Sequence, residues 1–130
     1  MATSDNVLRA GLTPKPRDVV NLVSSLTYQS SLGTKHTVKP SSFAPHTELY
    51  DPPVPEFAVL RTVLDAAGEE SHRAVHGPSV AIVTRGSGSM KWSNDEMHAV
   101  EGTVTFIGAG CELKITSGQG GLEMYRAFVE

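Results

Sequence analysis

Two cations and a carboxylate lie close together near the start of the chain. Asp5, Arg9 and Lys15 share one short segment with Gly11 and Pro14. An arginine offers a planar fork of donors for an oxyanion, and a lysine offers a compact charge that suits a phosphate. Gly11 and Pro14 would shape the backbone so that both cations face one anionic ligand, with Asp5 orienting Arg9 or moving a proton. The alternative is a solvated loop in which Asp5 and Arg9 form a local salt bridge.

One helix and an extended stretch follow this loop. Residues 16–28 are predicted to be helical, because Pro16 suits a first turn and one apolar stripe recurs at helical spacing: Val19, Leu22, Val23 and Leu26. Residues 29–55 contain many prolines, serines and threonines, and they are interpreted as an extended arm laid across other structure. The chain is therefore divided into three segments within one structural domain. They are the loop segment plus helix (1–28), the arm (29–55) and the C-terminal cupin-like β-barrel (56–130).

The last part of the chain is predicted to be β structure. Residues 85–88, Arg-Gly-Ser-Gly, are interpreted as a hairpin turn, and Gly108 to Gly110 as a second turn. This pattern favours a mainly β fold, a cupin-like jelly roll or β-sandwich with one N-terminal helix. The predicted strands are 57–64, 79–84, 89–92, 97–100, 103–107, 112–116 and 122–129.

No metal site is predicted in this barrel. A metal-binding cupin would carry paired histidines and a glutamate before its first glycine and another histidine after the second turn, where this chain has Cys111 and Glu112. His72 and His76 have the spacing of helical metal ligands, but residues 69–78 end in Gly-Pro and are predicted to be a loop. Cys111, the only cysteine, is interpreted as an inert buried thiol.

Composition narrows the possible partners. The 130 residues have a formal net charge of -3, which gives no reason to expect nucleic acid or an anionic membrane as a partner. No apolar run approaches the length of a membrane span, and residues 1–9 lack the pattern of a secretory signal. We therefore expect a cytoplasmic protein in a reducing compartment.

A long motif connects the opening loop with a known family. Residues 4–15, Ser-Asp-Asn-Val-Leu-Arg-Ala-Gly-Leu-Thr-Pro-Lys, resemble a signature of the type I mannose-6-phosphate isomerases, also called phosphomannose isomerases. The likeness covers essentially the whole chain, and the ending of the chain resembles the eukaryotic, fungal branch. It continues at residues 17–19, 26–28, 50–57, 77–79 and 125–130.

The resemblance implies a zinc-dependent aldose–ketose isomerase of carbohydrate metabolism. Such enzymes interconvert mannose 6-phosphate and fructose 6-phosphate by a cis-enediol route and supply mannose for GDP-mannose biosynthesis. Arg9 matches the family's catalytic arginine, Lys15 a residue expected to hold the phosphate, and Asp5 an acidic residue proposed to help proton transfer. Zinc is implied to act as a Lewis acid on the substrate oxygens.

The same resemblance implies that this chain is a part of such an enzyme. The family's zinc ligands, a glutamine, two histidines and a glutamate, lie upstream of the Ser-Asp-Asn motif and have no counterpart in this sequence. We therefore expect a C-terminal third that binds no zinc and is inactive alone. The alternative is a stand-alone cupin-like binding or interaction module, with the arm and the uncovered strand faces as a partner surface that also favours self-association.

Overall fold

The computed structural model describes residues 8, 9, 11, 12 and 14–129. The chain divides into two units, Met1–Thr37 and Val38–Glu130, and each is described by itself. None of the helices in the described part is long and apolar enough to span a membrane. The predicted division into 1–28, 29–55 and 56–130 stays a prediction.

The described residues of the first unit form one short α-helix, α1, Val19–Ser25, and a 3₁₀-helix, Gly33–His36. Asp18 begins α1, because its side chain accepts the backbone N–H of Asn21 at 3.1 Å. The helix ends at Leu26, which has extended backbone angles. It is shorter than the predicted 16–28, since Asp18 and Leu26 both leave helical geometry. No residue of α1 is buried, and Val19, Val23 and Leu26 of the predicted apolar stripe are exposed.

The second unit is a mainly antiparallel β structure, as predicted. The strand order is β1-β2-β3-β8-β5-β6, and β4 pairs with β8 while β7 pairs with β5. The strands are β1 (Ser41–Ala44), β2 (Thr47–Tyr50), β3 (Ala58–Leu64), β4 (Glu69–His72), β5 (Ser79–Trp92), β6 (Asp95–Val100), β7 (Val104–Ile107) and β8 (Leu113–Phe128).

Two long, bent strands replace the predicted hairpin turn at 85–88. β5 runs through this segment and pairs with β8 on both sides of it, with register shifts between Val83 and Arg85 and between Gly86 and Gly88. Gly86 has φ 77°, a conformation that favours glycine. The Arg-Gly-Ser-Gly segment is therefore a bulged bend and not a turn. β8 likewise joins the predicted strands 112–116 and 122–129 into one.

Three strands lie outside the predicted set. β1 and β2 fall in the stretch interpreted as an arm, where they form a hairpin that pairs with β3. β4 opens the segment 69–78 that was predicted to be a loop, and its His72 pairs with Leu113 of β8. That loop prediction is wrong for the first four residues, because alternate side chains of β4 are buried inside the barrel.

The barrel interior holds two apolar clusters. The smaller one is formed by Ala58, Leu60, Val75 and Phe128. The larger one is formed by Leu64, Ala81, Val83, Met90, Ala99, Ile107, Leu113, Ile115, Leu122 and Met124. Several polar or charged side chains are also buried among the described residues: Thr47, Thr62, Glu70, His72, Ser79, Ser117 and Arg126.

Candidate functional site

The predicted anion site lies in the first unit, and the structure describes two of its three residues. Arg9 is half-buried, and its carbonyl accepts the backbone N–H of Asp18 at 3.0 Å. Lys15 is exposed. Asp5 lies outside the described residues, so its predicted role with Arg9 stays a prediction.

The described geometry anchors the loop to the start of α1. The hydrogen bond from Asp18 to Arg9 ties the backbone at the first cation to the residue that caps the helix. Asp18 also accepts the Asn21 side-chain amide at 2.6 Å, and these hydrogen bonds lower the pKa of its carboxyl. The loop therefore enters α1 with the backbone of Arg9 hydrogen-bonded to the helix cap, and the role of its guanidinium stays a prediction.

The described residues offer no set of donors for a metal ion. Among them no group of three or more histidine, cysteine, aspartate or glutamate side chains is placed to bind one. His72 is buried on β4 and is not on a helix, while His76 is exposed. The donor set that tetrahedral zinc requires is thus not provided by this part of the chain.

His72 is held by two threonines inside the barrel. Its Nε2 lies 3.1 Å from Thr47 Oγ1 and 3.0 Å from Thr62 Oγ1, and the two hydroxyls lie 3.0 Å apart. Burial, together with the nearby charge of Arg126, lowers the pKa of His72 to about 4. The imidazole is therefore neutral at physiological pH and is part of a hydrogen-bonded core.

Arg126 is the second unusual group of the interior. It is fully buried on β8, and its Nε donates to Ser79 Oγ at 2.9 Å. Its two terminal nitrogens and the Nδ1 of His72 have no hydrogen-bond partner among the described residues. Sequence reasoning missed this group, although the alternation of Met124, Arg126 and Phe128 along the last strand places all three on one face.

Cys111 lines a small apolar cavity, where it is half-buried and not fully buried as predicted. The cavity has a volume of about 130 Å³, and Met90, Trp92 and Met97 also line it. The Cys111 thiol lies 3.5 Å from the carbonyl oxygen of Glu112. Among the described residues no cation or base is hydrogen-bonded to the thiol, and its inertness stays a prediction.

Comparison with known proteins gives one consistent answer. Residues 47–95 match the family model of the phosphomannose isomerase type I C-terminal region. The mannose-6-phosphate isomerase of Cryptococcus neoformans is 51% identical over 133 residues, which cover 100% of this chain and 30% of that protein. The predicted resemblance to the type I mannose-6-phosphate isomerases is confirmed. The Saccharomyces cerevisiae mannose-6-phosphate isomerase is 42% identical, with 100% of this chain and 32% of that protein covered.

A solved mannose-6-phosphate isomerase shows the same fold. The enzyme from Salmonella typhimurium, whose structure holds fructose 6-phosphate and zinc, matches with a TM-score of 0.77 and 26% identity over 100% of this chain. The predicted cupin-like jelly roll is thereby confirmed. This chain covers 32% of that enzyme, so it spans about a third of the length of the mannose-6-phosphate isomerases that it matches.

Proposed function

We propose that this chain supplies the C-terminal part of a mannose-6-phosphate isomerase, with fructose 6-phosphate and mannose 6-phosphate as the substrate pair. The observation that supports this most strongly is the 51% identity to the Cryptococcus enzyme across the entire chain. In this proposal the barrel is a scaffold, and the loop that precedes α1 supplies the chemistry. The protein works in the cytoplasm.

Three residues of the loop have separate roles in this proposal. Arg9 stabilises the negative charge that develops on the substrate oxygens during isomerisation, because a guanidinium can donate two parallel hydrogen bonds. Lys15 binds the phosphate as a compact charge. Asp5 assists the transfer of the proton between the two carbons that exchange oxidation state.

Zinc, where it takes part, is held outside the described part of this chain. The Salmonella relative contains zinc, whereas the described residues here offer no group of donors that fits it. The contribution of this chain is to bind and orient the sugar phosphate and to stabilise charge.

A chimeric enzyme tests the proposal. Replacing the matching segment of the Cryptococcus isomerase with this chain should give an enzyme that converts mannose 6-phosphate in a coupled assay.

In this chimera, Arg9→Ala should lower kcat by about a hundredfold or more, as the loss of a donor to developing charge does. Lys15→Ala should mainly raise KM. Arg17→Ala, which removes an exposed arginine close to the loop, is the matched control and should leave both constants within about twofold. A folded but inactive chimera would contradict the proposal, as would equal losses for Arg9→Ala and Arg17→Ala.

A second candidate function is an interaction module, and one surface feature favours it. Val80 pairs with Phe106 and Ile82 with Val104 across β5 and β7. All four side chains are exposed, including Phe106 at 70%. Neighbouring apolar side chains of this kind mark an association surface. We propose that the isolated chain covers this face with a second copy of itself, since the proteins it matches are about three times as long.

Light scattering tests this second candidate. The unchanged chain should dimerise with increasing concentration, and Phe106→Glu should make it monomeric. Val100→Glu, at an exposed valine of β6, is the control and should leave the dimer intact. A monomer at all concentrations would contradict self-association through this face.

A further inference from the structure

A buried positive charge lies inside the barrel, where no described carboxylate is hydrogen-bonded to it. Arg126 stands between Leu60 of β3 and Ala81 of β5 in the sheet register, and it has no solvent exposure. Ser79 accepts its Nε–H. The two terminal nitrogens, which form the outer edge of the guanidinium fork, have no partner among the described residues.

The one buried carboxylate among the described residues is hydrogen-bonded elsewhere. Glu70 is the one carboxylate among the buried polar residues described, and its oxygens accept the backbone N–H groups of His46 at 2.6 Å and Ser71 at 3.1 Å. Burial lowers the pKa of Arg126, but a guanidinium stays protonated at any ordinary pH. A buried charge without a partner strongly destabilises a fold, so this site needs a negative group.

His72 adds a third donor to the same interior. If a threonine hydroxyl donates to Nε2 of the neutral imidazole, the ring proton lies on Nδ1. Nδ1 is buried and has no partner among the described residues, like the outer edge of Arg126. Thr62, which holds Nε2, pairs in register with Met124, two residues before Arg126 on the same buried face of β8. The unpartnered groups are therefore donors, and an acceptor with a negative charge would complement them.

We propose that the barrel interior at Arg126 binds a small, planar, monovalent oxyanion of the carboxylate type, with formate as its simplest member. The two oxygens of a carboxylate match the two terminal nitrogens of a guanidinium in a bidentate pair. Arg126 has no solvent exposure, so only an anion of minimal size suits this site. This site is separate from Arg9 and Lys15, so it goes beyond the proposed isomerase function.

Thermal unfolding in controlled salts tests the proposal on the 130-residue chain. Formate should raise the midpoint saturably, by about 5 °C at saturation, relative to isethionate at the same ionic strength, because a ligand of the folded state stabilises it. Nitrate, which is also planar, should act similarly. Arg126→Gln should abolish the shift. Arg85→Gln, at an exposed arginine of β5, should retain it. Equal midpoints in formate and isethionate, or an unchanged shift in Arg126→Gln, would overturn the proposal.

Two further measurements keep the test decisive if Arg126→Gln fails to fold. On the unchanged chain, the resonance of carbon-13 formate should broaden and then sharpen again when nitrate competes, and a line that never broadens would overturn the proposal.

Cys111→Ser tests the thiolate as an internal counter-ion, because a Cys111 thiolate would raise the pKa of Arg126. The formate shift should be the same with and without Cys111. A shift that appears only in Cys111→Ser would assign the site to the thiolate. The chimera assay is independent of all these outcomes.

Discussion

The two units of the chain differ in how their residues are held. In the first unit no residue of α1 is buried, and Val20 is 80% exposed. In the barrel Leu60 and Met124 have no exposure at all. The residues proposed for catalysis lie in the first unit, whereas the burial that stabilises the fold lies in the second. Stability and proposed chemistry are therefore separable in this molecule, which is common where a rigid scaffold carries a functional loop.

The strongest expected effect lies at the bend of β5. A side chain at Gly88 would collide with the backbone carbonyl of Thr116 on β8, whereas one at Gly108 would meet nothing within 4 Å. Gly88→Ala should lower the free energy of unfolding of the barrel by about 4 kcal/mol, and Gly108→Ala should change it by about 0.5 kcal/mol or less. Urea denaturation measures both. Equal stabilities would show that the close approach of β5 and β8 is not required.

Truncating one apolar side chain in each unit compares them directly. Leu60→Ala removes a fully buried side chain and should lower the free energy of unfolding by about 3 kcal/mol. Val20→Ala alters an exposed side chain of α1 and should leave it within about 0.5 kcal/mol. A comparable loss at Val20 would mean that α1 contributes to the stability of the barrel.

The histidine of the barrel should make its stability depend on pH. The folded-state pKa of His72 is lowered to about 4, so between pH 7.5 and pH 5 the unfolded chain takes up a proton that the folded chain does not. Stability should therefore fall by about 2 kcal/mol over this range as the pH is lowered. His72→Gln should remove this part of the dependence, as followed by urea denaturation at each pH. His76→Gln, at an exposed histidine, should keep the slope, and an unchanged slope in His72→Gln would contradict the prediction.

The smallest effect is expected at the helix cap. Asp18→Ala removes the acceptor for the Asn21 N–H, so α1 should lose helical chemical shifts over Val19–Ser25 in an NMR spectrum. The barrel resonances and the thermal midpoint of the barrel should stay the same. A lower midpoint would show that the two units are coupled.

The sequence was sufficient for the fold class but not for the course of the long strands. Short apolar segments separated by glycine-rich turns predicted β structure over most of 57–129. Gly86 and Gly88 were interpreted as a turn because glycine pairs usually mark one, yet here they let β5 bend while it stays paired with β8. Only the pairing partner distinguishes a bulge from a turn, and one sequence does not contain that information.

The candidate sites also differ in how far the sequence could predict them. Arg9 and Lys15 could be named from residue type, spacing and family resemblance. The group formed by His72, Thr47, Thr62 and Arg126 could not, because its members come from four strands that are distant in sequence. β4 was missed for a related reason: Glu69, Glu70, Ser71 and His72 read as a polar loop, although the structure buries two of them.

We propose that this chain folds as a scaffold whose loop at Arg9 and Lys15 acts only together with the rest of an isomerase. The most direct measurement is a coupled assay of fructose 6-phosphate formation by the purified 130-residue chain, with zinc supplied and folding verified by circular dichroism. Because the isomerases that this chain matches are about three times as long, we expect a folded β protein with no detectable turnover. Zinc-dependent conversion of mannose 6-phosphate that is lost in Arg9→Ala would contradict it.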